Sequence, residues 1–149
     1  MRETITAALK DATKAQDKRR VSTLRLVSAA IKDRDIAART AGKTQATDAE
    51  LLELFAKMIK QREESQKIYA DAGRAKLAKQ ESEEIEIIRE FLPKQLSDKE
   101  MEKVIASAIA ESNAASVKDM GKVMAALKAR YAGQMDFAKA SALVKSKLS

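Results

Sequence analysis

Apolar residues along this chain recur every three to four positions and are separated by charged ones, which is the spacing of helix faces turned toward a core. Val21, Leu24, Val27 and Ile31 follow that period. They predict a first pair of helices over roughly residues 2 to 40, broken near Gln16-Asp17-Lys18. The polar run Thr40-Ala41-Gly42-Lys43-Thr44-Gln45-Ala46 ends the pattern. Thr47-Asp48-Ala49-Glu50 then has the hydroxyl-x-x-carboxylate spacing that satisfies orphan helix N–H groups. It should open a third helix with Leu51, Leu52, Phe55, Met58, Ile59 and Ile68 inward, closed by Gly73 as C-terminal cap. A fourth helix should start near Arg74, turn Leu77, Ile85, Ile88 and Phe91 inward, and stop before Pro93.

Pro93 is the single proline in 149 residues. Its ring removes an N–H and biases Leu92 away from the helical region. Ser97-Asp98-Lys99-Glu100 restarts a helix with a second capping box. Beyond it Met101, Val104, Ile105, Ala108 and Ile109 form one face, and Ser112-Asn113-Ala114-Ala115 reads as a turn. Ser116, with Asp119 three residues on, should cap the next helix, whose stripe is Met120, Val123, Met124, Leu127 and Tyr131. Gly133-Gln134-Met135-Asp136 turns the chain into a last helix carrying Phe137, Ala140, Val144 and Leu148. No strand pattern is present. The expectation is an all-α chain: an N-terminal helical domain of about four helices, residues 1–93, and a small C-terminal three-helix bundle, residues 94–149.

Composition narrows the chemistry. There is no cysteine and no histidine, so disulfides, thiolate nucleophiles, Cys-type zinc sites and the commonest general base are all excluded. Only 3% of residues are aromatic, which is thin for a protein that stacks single-stranded bases. No 18-residue apolar run occurs, and Met1-Arg2-Glu3-Thr4-Ile5-Thr6 enters an amphipathic pattern at once, so a soluble cytoplasmic protein is expected. The net charge of +7 is unevenly placed: residues 1–47 carry +6, 48–116 carry −4 and 117–149 carry +5. Basic ends around an acidic middle point to a polyanionic partner.

Several constellations do not reach catalysis. Gly42-Lys43-Thr44 resembles the end of a phosphate-binding P-loop, but Ala37 stands where that motif needs glycine and no strand precedes it. Glu81, Glu83, Glu84, Glu86 and Glu90 could form a carboxylate pair or a hard-metal site. The plainer expectation is a solvated face with local ion pairs to Lys79 and Arg89, or a docking surface for a basic partner. Ser141 and Lys145 lie one helical turn apart but have no glycine-rich elbow to supply an oxyanion hole. No metal site, cofactor or catalytic residue is assigned.

The segment from Ser116 to Ser149 is different. Lys118, Lys122, Lys128, Arg130, Lys139, Lys145 and Lys147 are opposed there only by Asp119 and Asp136. Gly121 falls in the first turns of a helix, where glycine costs about 1 kcal/mol relative to alanine, so a close approach should compensate it. A packed neighbouring helix is one candidate for that approach. A phosphate drawn to the helix N-terminus is the other. Lysine, a flexible point charge, suits backbone phosphates better than base edges.

Thr23-Leu24-Arg25-Leu26-Val27-Ser28-Ala29-Ala30-Ile31-Lys32, Tyr69-Ala70-Asp71-Ala72-Gly73-Arg74, Phe91-Leu92-Pro93-Lys94-Gln95-Leu96-Ser97 and Asp119-Met120-Gly121-Lys122-Val123-Met124, in this order, resemble the YqeY family of small bacterial proteins. That family is similar to the tail of the B subunit of Glu/Asp-tRNA amidotransferase, nearest at Met120-Gly121-Lys122-Val123-Met124 and Gly133-Gln134-Met135-Asp136. The resemblance implies that residues 94–149 are an amidotransferase-tail-like module that binds tRNA or another structured RNA. Lys118, Gly121, Lys122, Lys128, Arg130, Lys139 and Lys145 are the candidate RNA-contacting residues. Carbon–nitrogen ligase activity with glutamine as amide donor is also implied by family transfer, but the amidase and amide-transfer signatures are absent. We read that activity as membership of a pathway. The alternative reading is a protein-interaction adaptor that docks on an amidotransferase or another translation-associated complex, without a membrane.

Overall fold

A computed structural model describes residues 1–149. It contains seven α-helices and no strand: α1 (Arg2–Lys14), α2 (Lys18–Thr40), α3 (Asp48–Asp71), α4 (Ala75–Arg89), α5 (Asp98–Glu111), α6 (Met120–Tyr131) and α7 (Phe137–Leu148). One 3-10 turn, Val117–Asp119, precedes α6. The chain divides into two compact units, Met1–Leu92 and Pro93–Ser149. No helix is long and apolar enough to cross a membrane.

In the first unit the helix boundaries follow local chemistry. Gln16 takes a left-handed φ of 57°, and Asp17 then accepts from the Arg20 N–H at 3.1 Å, so α1 stops and α2 starts within three residues. The Thr47 hydroxyl accepts from the Glu50 N–H at 3.2 Å at the start of α3. Gly73, at φ 73°, closes that helix: the Arg74 N–H donates to the Tyr69 carbonyl and the Gly73 N–H to the Ala70 carbonyl, which satisfies two of the four orphan acceptors.

The core of this unit gathers Ile5, Val27, Ile31, Leu51, Phe55 and Ile88, with Phe91 and Leu92 packed at its edge. Phe55, wholly buried, contributes roughly 2–3 kcal/mol by removing its ring from water. Three expected inward positions move out, among them Leu52, which is only partly buried. Ile68 is 66% exposed, because α3 runs past the core before Gly73 ends it, and Leu77 is only partly buried while Ala78 and Glu84 take the inner positions of α4.

The second unit is held by Met101, Ile105, Val123, Leu127, Ala140 and Val144. The Ser97 hydroxyl accepts from the Glu100 N–H at 3.2 Å and opens α5. Asn113, at φ 52°, ends it, and the Ala114 N–H donates to the Ile109 carbonyl. Residues just after Pro93 belong to this unit by hydrogen bonding: the Gln95 side-chain amide donates to the Gly133 carbonyl, and the Leu96 N–H donates to the Gln134 carbonyl at 2.8 Å.

The start of α6 departs from the expected capping box. The Ser116 hydroxyl makes no cap hydrogen bond, and the helix begins as a 3-10 turn. Asp119 instead reaches backward and accepts from the Ala115 N–H at 3.0 Å. That hydrogen bond, with a second from the Ser116 backbone and the nearby Lys122 charge, holds the Asp119 carboxyl below the usual carboxylate range.

Candidate nucleic-acid interface

Seven of the basic residues of the second unit ride on α6, α7 and the turn before them, the other three, Lys94, Lys99 and Lys103, lying before and on α5. Lys118 lies in the 3-10 turn; Lys122, Lys128 and Arg130 lie on α6; Lys139, Lys145 and Lys147 lie on α7. All seven are exposed. The apolar stripe Val123–Leu127–Tyr131 faces the core, and this leaves the lysines on the outer surface of the bundle.

Helix register decides which of them share a direction. Lys122 and Lys128 are six residues apart, about 120° around α6, and Lys139 and Lys145 stand in the same relation on α7. Arg130 projects about 160° from Lys128, onto the flank of α6 that faces α5, where its guanidinium donates to Glu111 at 2.7 Å. Arg130 is therefore already engaged by a carboxylate in an ion pair. The rest form a dispersed cationic surface, not a single row. Such a surface suits phosphates that approach from several directions more than the edge of one base.

Gly121 corrects an expectation. A Cβ placed on it would meet nothing within 4 Å, so no neighbouring helix packs against it and the close-packing account of this glycine fails. Its surroundings are open solvent at the first turn of α6, where backbone N–H groups lack intrahelical acceptors. Asp119 contributes its negative charge to that same turn.

The acidic run on α4 also differs from expectation. Its partners are not Lys79 and Arg89 along the same helix but arginines from α2 and α3. Arg19 donates to Glu83 at 3.2 Å and Arg20 to Glu90. Arg62 donates to Glu84 at 3.3 Å, and that pair is nearly enclosed, with side chains 16% and 9% exposed. Gln80 and the Met58 carbonyl complete its hydrogen bonding. Arg89, for its part, reaches Glu63 on α3 at 3.3 Å. Burial and the neighbouring Glu84 push the Glu81 carboxyl up, with Arg62 opposing. The run is thus a set of clasps between helices, and no cluster of carboxylates in the chain is arranged to hold a metal ion.

A second arginine clasp lies at the other end of the first unit. Arg2 donates to both Asp35 oxygens, at 2.6 and 3.3 Å, and to the Ala46 carbonyl at 2.7 Å, while the Ala46 N–H donates back to Asp35 at 2.9 Å. The Arg2 guanidinium and that backbone N–H hold the Asp35 carboxyl below the usual range. The clasp ties the start of α1 to α2 and to the loop before α3.

Fold and side chains together define a class: an all-helical protein of two compact units, free of cysteine and histidine, whose helices in the first unit are cross-linked by arginine–carboxylate pairs. The family model for YqeY, described as Yqey-like protein, matches residues 2–148, and the chain belongs to that family. No curated protein matches it.

Proposed function

We propose that this chain binds structured RNA, tRNA foremost, as a non-catalytic module related to the tRNA-dependent amidotransferase tail. It would act in translation, in the cytoplasm, through phosphate contacts from Lys118, Lys122, Lys128, Lys139 and Lys145, with Gly121 and Arg130 at the margin. One observation carries the reading: these lysines are exposed, and the two carboxylates among them, Asp119 and Asp136, are tied to backbone N–H groups of Ala115 and Ala138. Contacts of this kind recognise backbone shape more than sequence.

The test is a salt titration of tRNA binding by the full chain. With about four phosphates neutralised, log affinity should fall against log salt with a slope of roughly −3 to −4, and Lys122→Ala should reduce that slope by about one unit. Salt-independent binding, or none at micromolar protein, sinks the proposal. The adaptor reading is weaker than its rival. The acidic face it would use is largely neutralised by Arg19, Arg20 and Arg62 within the first unit.

A further inference from the structure

We propose that one face of α2 is a second phosphate-binding surface, carried by the first unit, which grips a nucleic-acid backbone through Lys18, Arg25, Lys32 and Arg39. The argument starts from how α2 spends its cations. The helix has seven basic residues. Three turn toward neighbouring helices and are ion-paired: Arg19 with Glu83, Arg20 with Glu90, and Arg34 with Glu50 at 3.6 Å. The other four are exposed and have no carboxylate partner. Arg39 donates to the Thr44 carbonyl at 3.3 Å and lies within electrostatic reach of Asp35 without an ion pair to it.

Those four follow one another at intervals of seven residues. Seven residues fall about 20° short of two full turns, so the row stays on one side of the helix. Successive charges stand about 10.5 Å apart along the axis and the row spans about 32 Å. Beside it, between α1 and α2, runs a groove of about 310 Å³ lined by Arg2, Thr6, Ser28, Lys32, Ile36 and others. The carboxylate in that groove, Asp35, is already bound by Arg2 and the Ala46 N–H, and of the row only Arg39, one turn on, also acts on it by charge. Asp17, next to Lys18, is occupied by the Arg20 N–H.

The geometry selects among polyanions. An interfacial membrane helix needs a free apolar face, and that of α2 (Leu24, Val27, Ile31, Ala38) is buried in the core. A protein partner would need apolar or aromatic anchors clustered at the centre of the patch, and the two large apolar side chains that α2 exposes, Leu26 and Ile36, stand ten residues, about 15 Å, apart along the helix. Evenly repeated point charges over several turns instead match a phosphate backbone, whose charge density exceeds that of the row along its whole length. This proposal does not depend on the lysines of the second unit.

The test uses the full chain, unfractionated tRNA and a mixed-sequence RNA duplex as probes, and fluorescence anisotropy over about 50 to 200 mM salt. The fourfold variant K18Q/R25Q/K32Q/R39Q removes only exposed groups, and circular dichroism should show unchanged helicity. With both surfaces engaged the wild-type slope should steepen to roughly −6 to −7, and the variant's should be about three units shallower, with affinity at least about tenfold lower at the low-salt end. A parallel variant, K118Q/K122Q/K128Q/K139Q, separates the two surfaces. Loss confined to the α2 variant supports the row and removes the second-unit reading; loss confined to the parallel variant overturns the row. Reduced slope in both supports both surfaces. An α2 variant with wild-type slope overturns the row. So does a wild type that ignores both RNAs, whether or not it binds polyglutamate or phosphatidylserine vesicles.

Discussion

The two units use charge in opposite ways. In Met1–Leu92 arginines reach across from one helix to another, to Asp35, Glu50, Glu63, Glu83, Glu84 and Glu90, and so help to set which helices are neighbours. In Pro93–Ser149 the one such pair is Arg130–Glu111, exposed on both sides, and the helices are joined by aliphatic packing while the lysines face water. Exposed pairs contribute about 0–1 kcal/mol, so the second unit relies on its core almost alone. Its cations are thereby left available to a ligand. Cations of the first unit are divided between architecture and surface, and α2 does both on different faces.

That contrast can be broken deliberately, and the largest effect should come from the apolar unit. Leu127→Ala removes a wholly buried side chain from the centre of α5–α7 and should cost about 3–5 kcal/mol. Hydrogen exchange should show loss of protection across residues 98–148 with α1–α4 unaffected; equal loss in all seven helices would contradict separate cores. Next, Arg62→Ala strands Glu84, 6% exposed, without its cation, and about 3 kcal/mol should be lost in urea unfolding. Replacing both, as R62M/E84L, should recover most of it, since a buried pair is often no better than apolar packing. If the double variant is as unstable as the single one, the clasp contributes more than charge compensation. The smallest effect belongs to Gly121→Ala. With open space where the methyl group would sit, it should stabilise α6 by up to about 1 kcal/mol and raise the melting temperature of its unit by several degrees, at roughly 4–8 °C per kcal/mol. A lower melting temperature would mean that the glycine backbone is needed there.

Much of this was legible in residue order. Pro93, the Thr47 and Ser97 caps, Gly73 and the break at Gln16-Asp17-Lys18 all act through a few neighbouring residues, and local signals of that kind survive into the fold. What failed depends on distance in space. Glu83 has Lys79 one turn away on its own helix, yet the partners of Glu83, Glu84 and Glu90 lie 22 to 70 positions away on α2 and α3. Helical period does not encode such pairs. Gly121 invited a packing explanation because its cost is local while its environment is not. The basic row of α2 is an intermediate case. Its seven-residue spacing stands in the sequence, but only the ion pairing of Arg19, Arg20 and Arg34 distinguishes its four members from the other cations.

The bonds that join Gln95 and Leu96 to Gly133 and Gln134 set an order of assembly during synthesis. Helices α1–α4 have every partner of their core once Leu92 has left the ribosome, and at about 5–20 residues per second they gain a head start of seconds before residue 134 emerges. Until then the entry segment of the second unit, Gln95 and Leu96, has nothing to close against. A chain arrested with its point of exit from the ribosome between Pro93 and Met135 would therefore carry a finished first unit and an open second one, with the α2 cations in place before those of α7 emerge.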